Sequence, residues 1–187
     1  MKTTLEVLKA RRSCRSYQPR QITAAELDAV LEAGTYAPTG MGEQSPVIVA
    51  VQDAAVRDQL SRMNARILGT DSDPFYGAPT VLVVLADKNC PTRVYDGSCV
   101  LANLLNAAEG VGLGSCWIAR AKEEFESEEG QALLRAWGLD GGLEGVGHCV
   151  LGYRAEEPAA PAPPPEPSPE EKLLAEIRDL LKERGAK

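Results

Sequence analysis

Three guanidiniums and a hydroxyl stand within five residues at Arg11-Arg12-Ser13-Cys14-Arg15. The first twenty residues carry Lys2, Lys9, Arg11, Arg12, Arg15 and Arg20 against the single acid Glu6, in a chain whose formal net charge is −7. Such a fork of donors suits phosphate oxygens, because planar guanidiniums form paired, charge-assisted bonds to them. A small phosphate-bearing ligand fits better than nucleic acid. The remaining acidic surface would repel a polyanion, and no basic stripe with interleaved aromatics follows. The plainer reading of RRSxR is a solvated basic patch at a helix end.

Other chemistry-bearing residues are sparse. Five cysteines, Cys14, Cys90, Cys99, Cys116 and Cys149, are widely spaced without a CxxC pair, so neither a disulfide framework nor a metal site is indicated. They read as small buried hydrophobes. The one histidine, His148, adjoins the apolar Cys149-Val150-Leu151 and reads as a packing or backbone-bonded residue. Gly110-Val111-Gly112-Leu113-Gly114 has GxGxG spacing but follows a helix, which is the wrong context for a dinucleotide fingerprint. Trp117 reads as core, while Tyr36, Phe75 and Tyr76 flank loops where they could line a site mouth.

The elements that must position these residues are legible from pattern. Thr23-Ala24-Ala25-Glu26 is a capping box opening a helix to about Ala33, with Gly34 placed to stop it. Ala37 to Pro46 is loop, and Val47-Ile48-Val49-Ala50-Val51 reads as a strand buried on both faces. A helix spans Ala54 to Leu68, and a second continuous strand spans Val81 to Ala86. Tyr95 to Ala108 is a long apolar helix closed by Gly110. Ser115 to Ala119 is a short strand, Glu123 to Trp137 a charged surface helix, and Gly145 to Tyr153 a last strand. An α+β fold with one central sheet flanked by helices accounts for this order.

Residues 1–153 therefore form the core domain. Seven of the thirteen prolines fall between Pro158 and Pro169, which makes 154–169 an extended spacer. In 170–187, Leu173, Leu174, Ile177, Leu180 and Leu181 form one apolar stripe on a charged amphipathic helix, suited to self-association in a higher oligomer or to docking on the core. No apolar run is long enough to span a bilayer and the start, MKTTLEVLKARR, has no signal-peptide core, so a cytoplasmic protein without membrane or nucleic-acid partners is expected.

RRSxR, then AP(S/T)G with a following glutamine, then a helix opening DGS at Asp96-Gly97-Ser98, then GxGLGSCWI, occur in that order, and the set resembles the nitroreductase family of FMN-dependent flavoproteins. The resemblance covers about residues 5–153. It implies an intertwined homodimer with FMN at the interface, in which Arg11, Arg12, Ser13 and Arg15 hold the phosphate. It further implies that Pro38, Thr39, Gly40 and Gln44 approach the ring bound mainly to the other subunit, and that the Gly112-Leu113-Gly114-Ser115 turn brings backbone against the flavin. NADPH or NADH would be the electron donor, and a nitroaromatic, quinone or activated alkene the acceptor, in a ping-pong cycle through flavin N5 that needs no side-chain acid or base and no metal. The alternative is a non-catalytic flavin-binding or assembly module. Two departures stand out: Gly42-Glu43-Gln44-Ser45-Pro46 lacks the family's usual asparagine and aromatic, and the usual basic C-terminal stretch is replaced, leaving Arg154 as the nearest substitute cation. The segment Glu170 to Lys182 separately resembles the cytoplasmic C-terminal helix of large-conductance mechanosensitive channels.

Overall fold

Four strands form the centre of the molecule: β1 (Val47–Val51), β2 (Thr80–Asp87), β3 (Gly114–Ile118) and β4 (Leu143–Gly152). They pair in the order β1-β2-β4-β3 with every neighbour antiparallel. The computed structural model describes residues 2–139 and 142–155. The expected amphipathic helix and most of the proline-rich spacer lie outside them. The chain stays attached to the core through Arg154, which bridges Tyr17, and through Ala155, whose N–H donates to the Ser16 carbonyl at 3.1 Å.

Alternation along β2 explains why helices cover both faces. Val81, Val83 and Leu85 point into one core with Leu60, Met63, Phe75, Phe125 and Leu134, beneath α3 (Ala54–Leu68), α5 (Ala121–Glu126) and α6 (Glu128–Ala136). Leu82 and Val84 point into a second core with Val30, Leu101, Leu104 and Leu151, beneath α2 (Ala24–Thr35) and α4 (Arg93–Gly110). An antiparallel sheet between helices is the expected α+β architecture, and it excludes a doubly wound dinucleotide fold.

Several local expectations change. A helix, α1 (Thr4–Ala10), precedes the arginine cluster, opened by a Thr3/Glu6 capping box that the sequence contains but the pattern of apolar residues does not advertise. Gly34 does not stop α2. It lies in the last turn, where a Cβ would come within 2.7 Å of both Ile48 and Leu104, so it lets the helix pack closely. Strand β1 is an edge strand and only half-buried, less covered than β3 at the opposite edge, which is buried except at Trp117. The single helix expected over Glu123 to Trp137 is two helices, broken at Ser127, whose hydroxyl caps Gly130 N–H at 3.0 Å. Trp117 is 38% exposed rather than core, its indole lying over Gly147, while Phe75 is fully buried and lines no mouth.

Candidate functional site

The arginine cluster is fixed from two sides. At the end of α1, Arg11 N–H donates to the Val7 carbonyl at 2.9 Å, and Arg12 Nη1 donates to the carbonyls of Lys9 and Arg11, each at 2.8 Å. Arg12 thus satisfies helix-end carbonyls, so the plainer reading of a basic helix end holds for part of that side chain. Ser13 then pairs in parallel with Ser115 of β3, and Cys14 N–H donates to the Ser115 carbonyl at 2.8 Å. The Arg15 guanidinium sits 6.0 Å from the Tyr76 ring centroid.

Among the described residues no carboxylate lies within ion-pair distance of Arg11, Arg12 or Arg15, nor of Arg20, Arg62, Arg120 or Arg135, whereas Arg57 has two and Arg66, Arg93 and Arg154 have one each. Three clustered, uncompensated cations repel one another, and an anion would relieve that repulsion. Beneath them, burial pushes the Cys116 thiol up, opposed by Ser13 and by the charges of Arg15 and Arg11. Cys116 is therefore a packed thiol rather than a thiolate nucleophile.

The glycine turn meets the cluster at the C-terminal end of α4. Gly112 takes φ +85°, a conformation that favours glycine, and its N–H donates to the Glu109 carbonyl at 3.2 Å while Leu113 N–H donates to Ala108 at 2.8 Å. Those two amides cap the helix. The Leu113 side chain is in the core, and the buried Ser115 hydroxyl donates to the Leu105 carbonyl at 3.4 Å, so this turn has backbone rather than side chains to offer a ligand. A Cβ on Gly114 would meet Cys14 Sγ at 2.8 Å and Arg154 Cγ at 2.9 Å, which shows how tightly the two motifs are apposed.

Arg154 is not a free cation for this site. Its Nη2 pairs with Glu109 Oε2 at 2.5 Å and its Nη1 donates to the Gly112 carbonyl at 3.4 Å, while Lys2 Nζ holds Glu109 Oε1 at 2.5 Å. Burial pushes the Glu109 carboxyl up, but Lys2 and Arg154 together outweigh it and hold the group below the ordinary glutamate range. This clamp braces the glycine turn and joins both ends of the core.

The second group of expected site residues lies elsewhere. Pro38 is exposed, and the Thr39 hydroxyl accepts from Gln44 N–H at 3.1 Å and from Gln44 Nε2 at 3.2 Å. Met41 (φ 54°) and Gln44 (φ 50°) both occupy the left-handed region around the short 3-10 turn Gly40–Gly42. Gly40 N–H donates to Asp96 Oδ1 at 2.9 Å, tying the loop to the first turn of α4. Thr39 and Gln44 line a cavity of about 310 Å³ with Ile48 and Val100. The two groups thus attach to opposite ends of one 18-residue helix, which is ~27 Å long at 1.5 Å per residue. No hydrogen bond or ion pair among the described residues joins them.

A model of the nitroreductase family matches residues 8–72. A protein of Archaeoglobus fulgidus named NADH dehydrogenase/NAD(P)H nitroreductase is 29% identical over 162 residues, covering 84% of this chain and 88% of that one. A nitroreductase from Bacteroides fragilis, solved with bound FMN, superposes with a TM-score of 0.78 at 30% identity, covering 87% of this chain and 94% of that one. The chain belongs to the nitroreductase family. Over 37 residues, 20% of the chain, it is also 62% identical to a large-conductance mechanosensitive channel of Phocaeicola vulgatus, of which that segment covers 25%. Among the described residues of this nitroreductase-family chain no helix is long and apolar enough to cross a membrane, and no cluster of His, Cys, Asp or Glu is arranged to hold a metal.

The family resemblance in the sequence passed over two polar centres. His148 is fully buried, and its Nε2 lies 2.9 Å from Glu124 Oε2, a carboxylate that Asn64 Nδ2 also holds and that is equally buried. It packs as expected, between Phe75 and Phe125, but bonds to a side chain instead of to backbone. The apolar run beside it gave no sign of Glu124, which looks like one more acid of a charged helix. Asp96 was visible as part of the DGS motif, yet the contact with Gly40 that gives it meaning crosses 56 residues of chain.

Proposed function

We propose that this chain is an FMN-dependent NAD(P)H oxidoreductase of the nitroreductase type whose flavin sites are completed across a homodimer. The observation that carries the reading is the trio Arg11, Arg12 and Arg15, which has no carboxylate partner among the described residues and stands beside a left-handed glycine turn. That donor set has the chemistry an FMN phosphate needs. Arg11, Arg12, Arg15 and Ser13 would hold the phosphate. Gly112 and the backbone of Leu113, Gly114 and Ser115 would lie along the ring.

Pro38, Thr39, Gly40 and Gln44 would come from the second copy, since in one chain the length of α4 separates them from the arginines. Exposed Leu5, Leu8, Tyr36, Met41, Val94 and Tyr95 provide apolar surface that a second copy would cover. When bound, FMN supplies the hydride-accepting and hydride-donating chemistry, taking electrons from NADPH or NADH and passing them to a small nitroaromatic, quinone or activated alkene. The protein's part is to bind, orient and exclude water. No side-chain acid or base is required of it, and His148, sealed in the core against Glu124, is not placed to be one. The enzyme would work in the cytoplasm, and the stripe Leu173, Leu174, Ile177, Leu180 and Leu181 would join dimers into a higher oligomer.

The experiment is an FMN titration followed by addition of NADPH or NADH. Flavin that binds, bleaches on reduction and recovers with a quinone supports the enzyme. A yellow complex that neither nicotinamide bleaches would favour the non-catalytic module. The dimeric site has its own test, mixing an Arg15→Ala variant with a Gly40→Val variant after subunit exchange. Each mixed dimer would regain one intact site, restoring roughly a quarter of wild-type activity from two inactive parents. No recovery would place both groups of residues in a single chain's site.

A further inference from the structure

Asp96 is buried at 4% exposure, yet no Lys, Arg or His pairs with it among the described residues. Its partners are neutral. Oδ1 accepts the Gly40 N–H at 2.9 Å, and Oδ2 accepts the Thr92 hydroxyl at 2.7 Å and lies 3.8 Å from Cys90 Sγ. Thr92 is the residue that begins α4, but it makes no side-chain cap, because its hydroxyl is directed to Asp96. Burying a carboxyl without a cation is costly, and the positive end of the helix offsets only part of that cost. What the carboxyl gives in return is geometry: it accepts from two donors 52 residues apart in the chain, Gly40 N–H and the Thr92 hydroxyl.

That geometry joins two walls of one cavity. A space of about 510 Å³ opens between Gly40, Met41 and Ser45 on one side and Asn89, Cys90 and Thr92 on the other. Asp96 holds Gly40 on the first wall and Thr92 on the second. The walls also touch at their base, where a Cβ on Gly40 would lie 2.5 Å from Thr92 Oγ1. The Ser45 hydroxyl oxygen is buried without a hydrogen-bond partner among the described residues, which gives the cavity an unsatisfied polar group to offer a ligand. Met41 and Gln44 hold left-handed backbone on either side of Gly42.

We propose that Asp96 is a positioning residue that sets the width of this cavity and thereby selects the electron acceptor by size. The inference rests on the flavin reading above, in which the 38–44 loop reaches the ring of a second copy. Loosening the tether would let the loop retreat from the turn at 89–92 and admit larger acceptors.

The test uses full-length wild type, Asp96→Ala, Asp96→Asn and Thr92→Val. Three quantities are compared: amide exchange over 39–44 without ligand, FMN affinity, and the ratio of kcat/KM for a two-ring quinone to that for a one-ring quinone. Asp96→Ala and Thr92→Val are expected to speed exchange over 39–44 by about tenfold and to raise the quinone ratio at least about threefold, with FMN affinity little changed. Asp96→Asn keeps an acceptor for Gly40 N–H and should stay near wild type. Faster exchange with an unchanged ratio would make Asp96 a structural tether alone and overturn the selective role; unchanged exchange in both variants would overturn the tether itself. Thr92→Val keeps the shape of threonine, so it decides the matter even if Asp96→Ala does not fold. Wild type that takes up no FMN would instead overturn the flavin reading and the acceptor role with it, while the exchange data still judge the tether.

Discussion

The two ends of α4 are built in opposite ways. At its C-terminal end the arginine cluster is held by backbone: Ser13 pairs with Ser115, Cys14 donates to Ser115, and the Gly112 turn caps the helix with its own amides. At its N-terminal end the 39–44 loop hangs from side chains, Asp96 on Gly40 and Thr39 on Gln44, with two non-glycine residues in left-handed backbone and Met41 at 99% exposure. Backbone pairing adds rigidity that one side-chain bond cannot match. In the proposed dimer the first end would fix a charged anchor, and the second would adapt to the partner and the ligand.

The largest effect should come from removing the charges that distinguish the rigid end. Arg11→Ala with Arg15→Ala is expected to weaken FMN binding by about a hundredfold, from two charge-assisted bonds of roughly 1.5–3 kcal/mol each, with part of that recovered as relieved repulsion. Thermal stability without ligand should hold or rise slightly, since neither guanidinium has a carboxylate to lose and their mutual repulsion is removed. A flavin titration beside a melting curve checks both, and a large drop in Tm with affinity retained would make these arginines structural.

Glycine substitutions sharpen the contrast. Gly114→Ala should cost about 1–3 kcal/mol in urea unfolding, because the new methyl meets Cys14 and Arg154 within a backbone-paired frame. Gly40→Ala meets Thr92 just as closely, yet the pendant loop can shift, and a cost below about 1 kcal/mol is expected. Equal costs would mean that the two ends are equally rigid.

Acid should loosen the rigid end. Glu109 lies below the ordinary glutamate range in the folded chain, so its contribution to stability is complete above the unfolded value near ~4.3 and is lost as pH falls below it. Glu109→Gln should therefore flatten the acid limb of a stability-against-pH curve. An unaltered acid limb in Glu109→Gln would remove the clamp from the account.

The smallest effect has the opposite sign. Met41→Gly should raise stability by roughly 0.5 kcal/mol, since glycine takes φ 54° without strain and the methionine side chain has no packing to lose within the chain. In a dimer, by contrast, loss of a covered Met41 would lower stability at high protein concentration. The concentration dependence of Tm separates the two.

Much of this arrangement was legible one element at a time. The Thr23/Glu26 capping box and the continuous apolar run of β2 each signal their element through neighbours a few residues away. Likewise, RRSxR announces its charge without any structure. The break at Ser127 was harder to see, because a serine competes for a helix amide within an otherwise uninterrupted charged pattern. The exposure of Trp117 and the half-burial of β1 depend on which strand ends up at an edge, and strand order is not a local property.

By itself, then, the sequence determined the strands, the long helices, the basic RRSxR run and the resemblance that ties them to a family, since these follow from short-range periodicity, capping and charge. Tertiary structure decided what those residues face. It placed Glu109 between Lys2 and Arg154, drew Glu124 into the core against His148, aimed Asp96 at Gly40, and separated two site motifs by the length of a helix. The physical reason is that burial and pairing are long-range. Whether a carboxylate is solvated, clamped or sealed against a histidine depends on chain that arrives from 24 to 107 residues away, and no local pattern carries that information.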